Sequence, residues 1–89
     1  MPAAVAAVYR AEIRVELKSG VADPEGANTM KALELLGFRG VKAVRAVHAY
    51  AVELDATDEA TARREVESMC RRLLTNPVIH DYRISLEKA

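Results

Sequence analysis

Cys70, His48 and His80 are the residues of this 89-residue chain that could suggest a thiol nucleophile or a metal site. A reactive thiol needs exposure and cationic neighbours that favour the thiolate. Arg71 and Arg72 follow Cys70 directly, yet helical geometry turns them to another face, and Cys70 reads as a small buried hydrophobe. One cysteine and two scattered histidines match no metal-ligand spacing. We therefore expect no catalytic residue and no metal ligand on this chain.

A second stretch invites a chemical reading. Gly20-Val21-Ala22-Asp23-Pro24-Glu25-Gly26 precedes a helix, and helix N-termini bind anions. It lacks the lysine and hydroxyl of a Walker A loop and the spacing of a dinucleotide fingerprint. The simpler reading is a capped helix start, with Asp23 as N-cap, Pro24 as first helical residue, and glycines for the turn.

The elements that would position these residues follow from periodicity. Tyr9 to Lys18 alternates strictly: Tyr9, Ala11, Ile13, Val15 and Leu17 face one way, and charged residues face the other, as in a half-buried strand. Ser19 to Asp23 forms a loop. A helix runs from Pro24 to about Leu36, with Met30, Leu33 and Leu36 inward and Gly37 as its stop. Val41 to Leu54 is strand-like but longer than the usual 5–6 residues, so it predicts two strands, or one sharply bent near Ala46-Val47-His48. Asp55 to Asp58 opens a second helix, capped by Thr57 or Asp58. Ala62, Val66, Met69 and Leu73 form its buried stripe, and Glu67–Arg71 is a favourable i, i+4 pair outside. Pro77 ends that helix, and Asn76 caps its end. A last strand follows from about Val78 to Glu87, with Val78, His80, Tyr82, Ile84 and Leu86 on one face. The expected fold is α+β: a two-layer, ferredoxin-like βαββαβ sandwich, its antiparallel sheet carrying two helices on one face, in a single domain spanning residues 1–89.

Composition narrows the function classes. Thirteen basic and thirteen acidic side chains cancel, with no basic block, which argues against nucleic acid as the main partner. No stacking aromatics mark the charged faces, as an RNA-binding sheet would require. The apolar run from Ala3 to Tyr9 is too short for a membrane span, and no positive segment precedes it as in a signal peptide. A lone cysteine suits a reducing, cytoplasmic setting. So short a chain buries only roughly 60–65% of its unfolded surface, so a partner chain would add to its core. The middle segment supplies a motive for one: Ala43, Val47, Ala49 and Ala51 make a second apolar face that a monomer would leave wet, which predicts a homodimer or a dimer of dimers.

Several stretches together resemble the PurS family, the small subunits of phosphoribosylformylglycinamidine (FGAM) synthase. The clearest is Leu73-Leu74-Thr75-Asn76-Pro77-Val78-Ile79-His80-Asp81-Tyr82, read as L-L-x-N-P-V-I-x-D-Y. The second is Gly20-Val21 with Asp23-Pro24 and Gly26, read as G-V-x-D-P-x-G. Leu17-Lys18, Ala32-Leu33, Leu36-Gly37, Val44-Arg45 and Met69-Cys70 extend the likeness over about Tyr9 to Leu86. The chain departs from the family at Val47-His48, where members often have Gly-Lys, and at His80, where an acidic residue is usual.

The resemblance implies a non-catalytic subunit of an ATP- and glutamine-dependent C–N ligase of purine biosynthesis. It would help assemble a glutaminase subunit with a large synthetase subunit and support ammonia transfer between them. It would hold no cofactor of its own, with ATP and Mg on the large subunit. The partner-interface candidates are Asp23, Pro24, Gly26, Ala43, Val47, Ala49, Ala51, Asn76 and Pro77. The alternative of the same topology is an ACT-like regulatory module that binds a small molecule at a dimer interface. An acylphosphatase-like hydrolase would need an Arg-bearing anion loop with a positioning Asn, and no such motif occurs.

Overall fold

The computed structural model describes residues 6–89. The apolar run from Ala3 begins outside the described residues. Three strands, β1 (Ala7–Leu17), β2 (Val47–Ala56) and β3 (His80–Lys88), form an antiparallel sheet in the order β2-β1-β3. Two helices, α1 (Pro24–Leu35) and α2 (Glu59–Met69), complete the α+β fold.

The alternation of β1 decides the layering. Tyr9, Ala11, Ile13 and Val15 are buried beneath α2, while Arg10, Glu12 and Arg14 point to the open side. Register carries the same division to the neighbours. Ile13 pairs with Tyr50 and Ile84, and Ala11 with Val52 and Leu86, so these side chains share the α2 face. Ala62, Val66 and Cys70 close the core from above, each fully inaccessible.

Asp58 caps α2, its Oδ1 accepting the Thr61 N–H at 2.7 Å. Beyond Met69 the helix widens into a π-type turn over Cys70–Leu74. That turn corrects the expected stripe: Cys70 and Leu74 face the core, Met69 is half-buried, and Leu73 is 81% exposed. A wider turn carries more residues per revolution, so the inward position moves from 69 and 73 to 70 and 74. Glu67 and Arg71 do pair, at 3.8 Å on the surface.

Helix α1 ends in a Schellman arrangement. The Phe38 N–H donates to the Leu33 carbonyl at 3.1 Å and the Gly37 N–H to the Glu34 carbonyl at 3.0 Å, with Gly37 at φ +96°. The expectation that α1 rests its apolar side on the sheet does not hold within one chain. Only Gly26 of α1 is buried, Met30 and Leu33 are half-buried, and Leu35, Leu36 and Phe38 are 82%, 74% and 56% exposed. The radius of gyration is 17.7 Å and the long axis 65 Å. A compact chain of this length would have a radius near 12 Å. Helix α1 and the segment returning from it form an arm that leaves the sheet at one end.

Val41–Leu54 changes character at the expected break, Ala46-Val47: residues 41–46 are irregular, neither a separate strand nor the first arm of a bent one, and pairing starts at Val47. The last strand likewise begins at His80 and not at Val78, which lies in the turn over residues 77–79 and is 79% exposed.

Candidate functional site

Both stretches singled out in the sequence meet at one end of the sheet, where β1 finishes. Leu17 offers its carbonyl to the Arg45 guanidinium. The next residue, Lys18, donates its N–H to the Ile79 carbonyl at 2.8 Å and accepts the Val21 N–H at 3.0 Å. The arm and the α2–β3 corner are thus tied to consecutive residues of the central strand.

Asp23 holds the base of the arm. Its Oδ1 accepts the Gly26 N–H, closing the first turn of α1, and its Oδ2 accepts the Ala46 N–H, each at 2.9 Å. These two backbone N–H donors, aided by the nearby Arg45 charge, hold its carboxyl below the usual carboxylate range. The anion that this helix N-terminus attracts is therefore its own cap. Gly26 is packed so closely that an added Cβ would stand 2.5 Å from Asp23 Oδ2 and 2.6 Å from the Val44 carbonyl oxygen. The glycine there serves close approach between helix and return segment. Pro24, at the first helical position, is exposed.

The corner around Asn76-Pro77 is built by local hydrogen bonds. Asn76 Oδ1 accepts the Val78 N–H at 3.0 Å, an Asx turn around Pro77. The Asn76 N–H donates to His80 Nδ1 at 2.9 Å, and its carbonyl accepts from Ile79 and His80. The side chain of Asn76 therefore does not cap the helix, as the sequence led us to expect. Thr75 does: its N–H and Oγ1 both donate to the Cys70 carbonyl, at 2.9 and 2.8 Å. Thr75 is also the one buried polar side chain among the described residues. A hydroxyl residue at the end of the α2 pattern, just before Asn-Pro, was the signal that could have identified it.

Ala43, Ala49 and Ala51 are exposed and Val47 half-buried. The face that Ala49 and Ala51 share is not apolar, since Ala49 stands opposite Arg14 and Ala51 opposite Glu12. Alanine on a β2 edge position leaves room for the longer charged side chains of β1 beside it. On the β3 side, like charges are directly opposed: Arg14 faces Arg83 and Glu16 faces Asp81. Diagonal neighbours are of opposite sign, so the surface is a charge mosaic. It borders an open groove of about 680 Å³ lined among others by Arg14, Glu16, Lys18, Pro77, Asp81 and Arg83.

Cys70 is inaccessible, and burial pushes its thiol pKa up, which leaves it an inert core residue. His48 lies 3.9 Å from Glu25 at the exposed start of β2. No three His, Cys, Asp or Glu side chains converge on a metal-sized space among the described residues.

The PurS family model, described as phosphoribosylformylglycinamidine (FGAM) synthase, matches residues 10–88. The chain belongs to the PurS family. It is 50% identical over 74 residues to the Archaeoglobus fulgidus phosphoribosylformylglycinamidine synthase subunit PurS, covering 83% of this chain and 92% of that one. Its fold matches the crystal structure of Methanocaldococcus jannaschii PurS, a subunit of formylglycinamide ribonucleotide amidotransferase in the purine biosynthetic pathway. The TM-score is 0.82 at 43% identity, over 91% of this chain and 98% of that one. A chain in the structure of PurLQS from Thermotoga maritima matches with TM-score 0.82 at 28% identity, over 98% of this chain and 100% of that one. The matched region includes both PurS-like stretches and the sheet end where they meet.

Proposed function

We infer that this chain is the small, non-catalytic subunit of FGAM synthase, acting in purine biosynthesis to assemble the glutaminase and ATP-dependent synthetase subunits. The family match across residues 10–88 carries this reading. The likeness to a PurS chain from the PurLQS structure supports an assembly role. The site agrees with such a role, because Asp23, Thr75 and Asn76 use their side-chain oxygens to shape the arm and the corner. ATP and Mg act on the large subunit in this reading, and ammonia passes from the glutaminase to the synthetase within the assembled complex. The chain works as a homo-oligomer in the cytoplasm. No helix among the described residues is long and apolar enough to cross a membrane.

Co-purification tests the assignment. Tagged chain mixed with the glutaminase and large synthetase subunits is expected to elute with both as one complex on gel filtration. Elution of the three components separately, under conditions where each is folded, would overturn it.

A further inference from the structure

The open face of the sheet changes character along β1. Near its start, Arg10 pairs with Glu53 at 3.5 Å and has Glu87 opposite on β3, so its charge is met within the chain. Further along, Arg14 stands directly opposite Arg83, and beyond them Glu16 stands opposite Asp81. None of these four side chains forms an ion pair among the described residues. Like charges directly opposed on paired strands are unfavourable, and here the backbone register holds them so. All four line the open groove of about 680 Å³, with Lys18 and Pro77 toward the α2–β3 corner. That volume is in the range of small-molecule sites. Arg14, Lys18 and Arg83 against Glu16 and Asp81 leave the groove one formal positive charge, with His80 counted neutral, in a chain whose net charge is zero.

We propose that this groove binds a sugar phosphate, its phosphate held between the Arg14 and Arg83 guanidiniums and its hydroxyls donating to Glu16 and Asp81. A guanidinium is a planar fork of N–H donors that matches two phosphate oxygens. Two opposed forks lose their mutual repulsion when a dianion enters between them. The carboxylate pair lies about 7 Å further along the strands, since each residue advances about 3.4 Å. There it repels a second anionic group and accepts hydrogen bonds from O–H donors. The groove therefore disfavours a polyphosphate or an acidic peptide and favours one phosphate on a hydroxyl-bearing body. Both pairs sit on paired strands, so binding has little backbone to order. Every group lies on this one chain, so the site is independent of subunit assembly and is tested without the other subunits.

Ribose 5-phosphate is the probe, with ribose and inorganic phosphate as its two halves. Titrated into the full chain, it is expected to give saturable NMR shifts at the amides of Arg14, Glu16, Asp81 and Arg83 and to raise the melting temperature. Inorganic phosphate should bind about ten-fold or more weakly than the sugar phosphate, and ribose should not saturate. Arg14→Gln/Arg83→Gln should weaken ribose 5-phosphate binding about ten-fold or more. Both arginines are exposed and their opposition is unfavourable, so that variant without ligand should melt no lower than the wild type. Glu16→Gln/Asp81→Asn should bind inorganic phosphate at least as well as the wild type while its preference for the sugar phosphate narrows. No saturable shift at millimolar ribose 5-phosphate, unchanged binding in the arginine variant, or equal affinity for inorganic phosphate and ribose 5-phosphate would each overturn the proposal. So would an acidic peptide that binds the groove more tightly than ribose 5-phosphate, because the surface would then be one that docks protein.

Discussion

Asp23 and Ala46 lie 23 residues apart, and the carboxylate of the first accepts the backbone N–H of the second at 2.9 Å. With its other oxygen capping α1, one side chain fixes both the departure and the return of the arm. Because the folded pKa is depressed, the ionised form is favoured by folding. The stabilisation is therefore complete above the unfolded value near 3.8 and is lost as pH falls below it, through the folded value. Asp23→Asn should melt lower than wild type at neutral pH, and the gap should shrink on acidification through that window. Thermal melts of both proteins across the acid range check this; a gap that widens would contradict it.

Gly26→Ala sets two effects against each other. Alanine favours a helix by about 1 kcal/mol over glycine. The added methyl meets Asp23 Oδ2 at 2.5 Å and the Val44 backbone carbonyl at 2.6 Å, an overpacking that costs about 1–3 kcal/mol. Clash wins, because one of the two neighbours is backbone and cannot rotate away. Urea denaturation should give a lower midpoint for the variant, and faster exchange of the α1 amides should accompany it.

Thr75 and Asn76 separate stability from assembly. Thr75→Val removes a buried 2.8 Å bond to the Cys70 carbonyl and should cost about 1–2 kcal/mol. Asn76→Ala removes an exposed turn bond to Val78 and should cost about 0.5–1 kcal/mol, leaving the chain folded. With its side-chain carbonyl engaged in the Asx turn, Asn76 acts mainly on the corner, so complex formation at room temperature should survive its loss. Normal stability of Asn76→Ala together with failed co-purification would make it a contact residue instead.

What the sequence disclosed depended on how local each signal was. The alternation of β1, the Asp23-Pro24 helix start, the Asp58 cap and the Glu67–Arg71 pair each lie within a few residues, and the fold realises all of them. The phase of α2 beyond Met69 was not legible, because a π-type turn depends on Thr75 and the corner and not on apolar spacing. The arm was hidden for a different reason. An apolar spacing along α1 does not state where the helix lies relative to the sheet. The tie from Asp23 to Ala46 bridges too great a separation to be inferred from either stretch alone. Ala49 and Ala51 look apolar along β2, and only the register with Arg14 and Glu12 shows the mixed face to which they belong.

The most direct measurement of the central claim is FGAM formation by the glutaminase and large synthetase subunits, with and without this chain. The isolated chain should show no glutaminase, ATPase or ligase turnover. Added to the other two, it should restore the glutamine-dependent reaction, and its omission should impair that reaction more than the ammonia-dependent one. Equal glutamine-dependent activity with and without the chain would contradict the account.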